Sequence, residues 1–251
     1  MGSNSSTDRD EPRQIARQTV VDELRSRILK GDYPGGARVR QEDVAEEFNL
    51  SRIPVREALR ELESEGLLII EPHRGARVAT VDRSELEQIY TLRAAVEPLA
   101  IQRSLPNLGT SDIEAMERLA NRMESSHDID AFLAADREFH LTSYRGVQFP
   151  LIVQLVERFW NTTQHYRRSF AESRSPDQFR VTHSDHRMLI QAVRDNNPDV
   201  AAAIVKRHIE RTRDDLMVLL HAADPEGAPA GVRAAGETHS AAAGTEDPAT
   251  S

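Results

Sequence analysis

The chain has 251 residues, no cysteine and a formal net charge of -9. Its length suits one large domain or two ordinary ones; no apolar run approaches the ~18 residues of a membrane span, and no apolar N-terminal stretch reads as a secretory signal. Without thiols there are no disulfides, and any bound metal would need nitrogen and oxygen ligands, as suits a cytoplasmic protein.

Residues 1–12 (MGSNSSTDRDEP) are polar and without apolar periodicity, and read as a disordered tail. From 13 to 30, Ile15, Val20 or Val21, Leu24 and Ile28 predict the inward face of an amphipathic helix. "GDYPGGARV" breaks it with glycine and proline. A short helix over roughly 41–48 leads through the turn "NLS" to a helix from Arg52 to about Glu65. Ser51 is placed to cap that helix, Val55, Leu59 and Leu62 share its inward stripe, and Gly66 ends it. "LLIIE", "PHRG" and "ARVATV" then read as strand, turn and strand. Residues 13–81 therefore predict a winged helix-turn-helix.

After residue 82 every signal is helical. Six helices are expected, at roughly 83–104, 111–126, 129–145, 150–171, 177–195 and 198–221, with Pro98 inside the first. Ser84 with Glu87 and Ser111 with Glu114 have capping-box spacing, Asp128 caps the third helix, and Ser175-Pro176 and Asn197-Pro198 set a cap before a proline. Residues 223–251, rich in Ala, Gly, Pro, Thr and Glu, read as a second disordered tail. The fold class is mainly α: a winged helix-turn-helix followed by a six-helix bundle over 82–222.

The excess of acid sits mainly after residue 82, which leaves room for a basic surface in the first module. In a winged helix-turn-helix the second helix of the pair presents its N-terminal residues to the major groove. Here those residues are "SRIPVREALRE", with Arg52, Arg56 and Arg60 on one line. A guanidinium matches the O6/N7 edge of guanine, which makes Arg52 and Arg56 the base-reading candidates. Ser51 and the first amides suit a phosphate, and the wing turn His73-Arg74-Gly75 would reach flanking backbone or minor groove. The plainer alternative is a solvated face, its arginines paired with Glu57, Glu61 and Glu65.

The stretch "LSRIPVREALRELESEGLL" followed by "PHRGARV" resembles the DNA-binding domain of the GntR family of bacterial transcription regulators, over about 65 residues. The resemblance includes the "R-x-P-V-R-E-A-L" helix with its Pro54. It implies double-stranded DNA as partner. One departure is Gln41-Glu42-Asp43, where some relatives carry a basic residue; Arg38 or Arg40, just upstream, would supply that phosphate contact instead.

In the second module "ADREFH" sets Asp136 and His140 four apart, on the inward side of the third helix. His186 shares a stripe with Leu189, Ile190 and Val193, and His208 lies in line with Val200 and Ile204. One carboxylate and three imidazoles turned inward could hold a divalent first-row metal; hydrogen-bonded core histidines and an Asp–His ion pair are the competing readings.

Six helices after such a head, with "D-R-E-F-H", "H-S-D-H-R" and "K-R-H-I", resemble the FCD effector domain of the FadR subfamily. That likeness implies a metal (zinc, nickel or manganese) on Asp136, His140, His186 and His208, with His183 the rival for the third place. The asparagine such domains often show after the first histidine is missing, the chain reading Gly146-Val147-Gln148. It further implies a small organic acid as effector and a homodimeric repressor on an imperfectly palindromic operator. Arg93, inward with Ile89, Val96 and Ala100, would clamp such an anion or else pair with Glu97; Thr163, Tyr166 and Arg167 are weaker pocket candidates. A metal-dependent hydrolase-like enzyme, and a regulator that senses the metal itself, are the alternatives.

Overall fold

The structure, a computed structural model, describes residues 7–72 and 75–223. His73, Arg74 and most of the two expected tails lie outside the described residues. The first module runs α1 (Thr7–Lys30), β1 (Arg38–Val39), α2 (Gln41–Glu47), α3 (Arg52–Ser64), β2 (Leu68–Glu71) and β3 (Gly75–Val78). The second is α4 (Arg83–Ser104), a 3-10 turn (Leu105–Asn107), α5 (Thr110–Ser125), α6 (Ile129–Ser143), α7 (Pro150–Ser173), α8 (Pro176–Arg194) and α9 (Pro198–Ala223).

Helix α1 begins at Thr7, so residues 7–12 are helix where a disordered tail was expected. Apolar periodicity cannot register such an extension, because adding a residue to an existing helix gains a hydrogen bond whatever its polarity. Val20, Val21 and Leu24 are fully buried, but Ile15 is 62% exposed. At about 100° per residue Ile15 lies half a turn from Leu24, on the opposite face. Arginines take its place on the inward side. Arg13 and Arg17 reach Glu57 and Glu61 of α3 at 2.5 and 3.6 Å, and Arg25 reaches Glu65 at its C-cap at 2.6 Å.

Val55, Leu59 and Leu62 are buried as expected, and Gly66 at φ +78° turns the chain out of α3. Ser51 stands at the N-cap, but its side chain makes no capping hydrogen bond. The sheet order is β1-β3-β2, all antiparallel, with Val39 opposite Ala76 and Ile70 also opposite Ala76 on the other side. Strand β1 was not expected; two residues are too few for alternation to show.

The six later helices appear where the caps and prolines put them. Two caps differ in frame. Asp82, not Ser84, caps α4, accepting from the Glu85 amide at 2.8 Å, and Asp112 accepts from the Gly109 amide at 3.0 Å ahead of α5. Each helix starts before the serine that was expected to cap it, which leaves Ser84 and Ser111 in first turns. Asp128, Ser175 and Asn197 cap as expected. In α9 Val200 is 46% exposed, off the buried line of Ala201, Val205, Ile209 and Leu216. His208 lies near one edge of that line, and Val200, about 80° behind it, falls on the solvent side.

One core lies within the winged module, around Leu24, Val55, Leu62 and Leu68; the other fills the bundle around Trp160, Tyr90, Phe139 and Ile101. In the bundle α4 lies along α9, α5 along α6, and α8 packs on both α5 and α9. Helix α7 also faces the first module.

Candidate functional site

Helix α6 carries Asp136 and His140, α8 carries His186 and α9 carries His208. The three imidazoles converge, with a ligand atom from each within 4.8 Å of the others. His140 and His186 are 2% and 1% exposed, and neither ring nitrogen of either residue makes a hydrogen bond. Four buried ring nitrogens without protein partners are costly unless something binds them. Asp136 Oδ1 lies 3.3 Å from His186 Nε2 and 3.9 Å from His140 Nε2, while Arg167 donates to Oδ2.

The electrostatics suit a cation. Burial pushes His186 down to about 3 and His140 well below the usual imidazole range, so both rings are neutral at pH 7, the form that ligates. Burial alone would raise the Asp136 carboxyl, but Arg167 and the histidines overcome it and hold it well below the usual carboxylate range. His208 Nδ1 faces Asp185 Oδ2 at 3.2 Å, which leaves Nε2 as its free nitrogen. Asp185 is itself held by Arg211 at 2.5 Å and Arg207 at 2.9 Å. A carboxylate behind an imidazole in this way fixes its tautomer and orientation. His183 does not join the cluster. It packs against Phe132 and Phe179, its ring 6.1 and 6.3 Å from theirs, so of the two rivals His186 is the one brought in.

Beside the histidines lies a cavity of about 40 Å³, lined among others by Tyr90, Arg93, Trp160, Arg167, Arg174 and Thr182. Arg93 makes the expected pair with the buried Glu97 at 2.6 Å, and it also lines the cavity. Glu97 also accepts from Tyr144 at 2.8 Å, so the pair is well supported. The Trp160 ring lies 4.7 Å from the Arg93 guanidinium and 3.7 Å from that of Arg167, a cationic clasp on an aromatic wall. The Tyr90 and Thr182 hydroxyls and Arg167 Nη1 are buried there without hydrogen-bond partners.

Two expected pocket residues are elsewhere. The Thr163 hydroxyl bonds the Phe159 carbonyl of its own helix at 2.8 Å, and Tyr166 donates to the carbonyl of Val81 at the exit from the first module. Residues missed from sequence include Tyr90, Trp160 and Thr182, although Thr182 stands four before His186, Tyr90 three before Arg93 and Trp160 seven before Arg167. Helical spacing carried that signal. Arg174 sits at the end of α7, where periodicity says nothing.

In the first module Arg38, Arg40, Arg56, Arg60 and Gly75 line a cleft of about 520 Å³ between α3 and the wing. Because Glu57, Glu61 and Glu65 are taken by arginines of α1, they do not neutralise this face. Arg56 and Arg60 make no ion pair among the described residues, and Arg52 pairs only loosely with Glu42, at 3.5 Å. Gln41 donates to the Arg52 carbonyl at 2.8 Å, which ties α2 to the start of α3. Ser51, Arg52 and Arg56 are exposed, but Pro54 is buried, so it is a packing residue of the first turn and not a groove contact.

Residues 16–78 match the gntR family of bacterial regulatory proteins and residues 88–211 match the FCD domain. The chain belongs to the GntR family. Among curated relatives, the HTH-type transcriptional regulator McbR of Escherichia coli is 24% identical, over 70% of this chain and 80% of that protein. The gluconate operon transcriptional repressor of Bacillus licheniformis is 30% identical, over 60% of this chain and 61% of that one. The solved structure of E. coli McbR/YncC shares the fold, with a TM-score of 0.71 and 21% identity, covering 82% of this chain and 98% of that one. This GntR-family chain is thus a DNA-binding transcription regulator with an FCD domain; the enzyme alternative has no support, since the family and these relatives are regulators.

Proposed function

We propose that this GntR-family regulator is a homodimeric, cytoplasmic repressor whose operator binding is modulated at a metal-containing pocket by a small organic acid. The observation that carries this reading is the convergence of the buried His140 and His186, whose ring nitrogens are unpaired, with the half-buried His208, beside an arginine-lined cavity. Asp136 with the three histidines would hold zinc, nickel or manganese, since three imidazoles and a carboxylate suit divalent first-row ions. Such an ion supplies a positive charge with open positions for a carboxylate. Arg93 and Arg167, clasping Trp160, would set the far end of the acid, and the unpaired Tyr90 and Thr182 hydroxyls would read its polar groups. A repressor named for a gluconate operon among the relatives fits this sign and class.

On the DNA side, residues 13–81 form the reading module, with Arg52 and Arg56 on guanine edges and Arg38, Arg40 and Ser51 on phosphates; His73, Arg74 and Gly75 of the wing would reach the flanking backbone or minor groove. Residues 82–222 form the effector and dimerisation module. Two heads related by a two-fold axis call for an imperfectly palindromic operator. No helix among the described residues is long and apolar enough to cross a membrane.

Mobility shifts on an operator fragment, with metal-loaded protein and a series of small acids, test this reading. Release of DNA by an acid, lost in His140→Ala, is expected; tighter binding would overturn the repressor-release assignment. A second reading, in which the metal itself is the signal, is favoured by the cavity's size, with room for only roughly three waters. Operator affinity that tracks free metal without any organic acid would support it.

A further inference from the structure

We propose that α7 carries the state of the histidine pocket to the DNA-reading helix α3, with Asn161 as the positioning residue between them. This rests on the reading of the pocket as a metal and effector site.

The last carbonyls of a helix have no partner within it. Where α3 ends, its last carbonyl and the two that follow it are met by side chains of α7. Arg158 donates to Ser64 O at 3.0 Å, Asn161 Nδ2 to Glu65 O at 2.9 Å and Thr162 to Gly66 O at 3.3 Å. The approach is close: a Cβ on Gly66 would lie 2.6 Å from the Thr162 hydroxyl oxygen. The recognition helix is therefore anchored at its C-terminal end by the effector module, while its N-terminal end faces DNA.

Asn161 is also tied to the pocket side. Its Oδ1 accepts from Arg137 Nη2 at 2.7 Å, and Arg137 follows Asp136 on α6. The pocket holds a second link between the same two helices, from Arg167 of α7 to Asp136. Asp136 Oδ2 is held by Arg167 while Oδ1 faces the imidazoles, so drawing this carboxylate toward the histidines loosens its hold on α7. A helix turn is rigid, so Arg137 moves with Asp136 and shifts against Asn161. Asn161 has one atom on each side of the junction and passes that shift to Glu65. Two sites joined through such a residue share a coupling free energy, and removing the residue should lower the coupling without removing either site.

Hydrogen exchange of the full chain, with and without zinc, tests this at residues 61–67. Zinc is expected to change exchange there in the wild type, and Asn161→Ala to abolish that change while zinc stoichiometry stays the same. Asn161→Asp, which keeps the acceptor for Arg137 but sets an oxygen against Glu65 O, should abolish it too. Thr162→Ala, which leaves the Arg137–Asn161–Glu65 link intact, should keep it. An undiminished response in either Asn161 variant, or its loss in Thr162→Ala, would overturn the assignment, as would a silent wild type with zinc bound. Absence of bound zinc in the wild type, read by metal analysis, would remove the pocket reading and overturn both.

Discussion

At the scale of single residues, the pocket turns on imidazoles kept neutral by burial. His186 is held down to about 3 against an ordinary value of about 6.5. A group whose folded value is depressed contributes stability above the unfolded value and loses it as pH falls toward the folded one. Metal-free protein should therefore lose thermal stability progressively from about pH 6.5 toward pH 3. Melting curves across that range check this, and a flat profile would contradict it. Asp185 gives a second prediction. It orients His208 without belonging to the cluster, so Asp185→Asn should weaken zinc affinity by roughly 10–100-fold while leaving one ion per chain at saturation, as titration against a competing chelator would show.

At the scale of elements, helix phase decides which residues matter. Leu24 and Ile15 lie on the same helix, one fully buried and the other 62% exposed. Leu24→Ala should cost about 2–5 kcal/mol in denaturant unfolding, whereas Ile15→Ala should change stability by less than about 0.5 kcal/mol. Gly146 is a stricter case, since a Cβ there would lie 2.2 Å from the Ser104 carbonyl oxygen. Its amide bonds the Ser104 hydroxyl at 2.9 Å, and Asn107 donates to its carbonyl at 2.8 Å, which packs the α6–α7 turn onto the end of α4. Gly146→Ala should cost about 1–3 kcal/mol by the same measurement, because backbone cannot give way as a side chain can. Helices were legible where proline and a capping side chain coincide, as at Ser175-Pro176, and less so where two candidate caps stand two residues apart, as at Asp82 and Ser84.

At the scale of the whole molecule, two modules meet along α7, and their functions should separate under mutation. Arg56→Ala should cost about 1–3 kcal/mol of discrimination between operator variants and leave metal content unchanged. His208→Ala should do the reverse, losing the metal while DNA is still bound; binding titrations paired with metal analysis distinguish the two. The sequence by itself determined the modules, the positions of the later helices, the face of Arg52 and Arg56, and the four inward residues from Asp136 to His208. These are local properties, set by 3.6-residue periodicity and by caps that act within one turn. Tertiary structure alone decided that His186 and not His183 joins the cluster, that the α3 glutamates are taken by α1, that Tyr166 and Thr163 leave the pocket, and that Asp185 stands behind His208. Each depends on which helix packs opposite, and periodicity gives the direction of a side chain but not the identity of its neighbour.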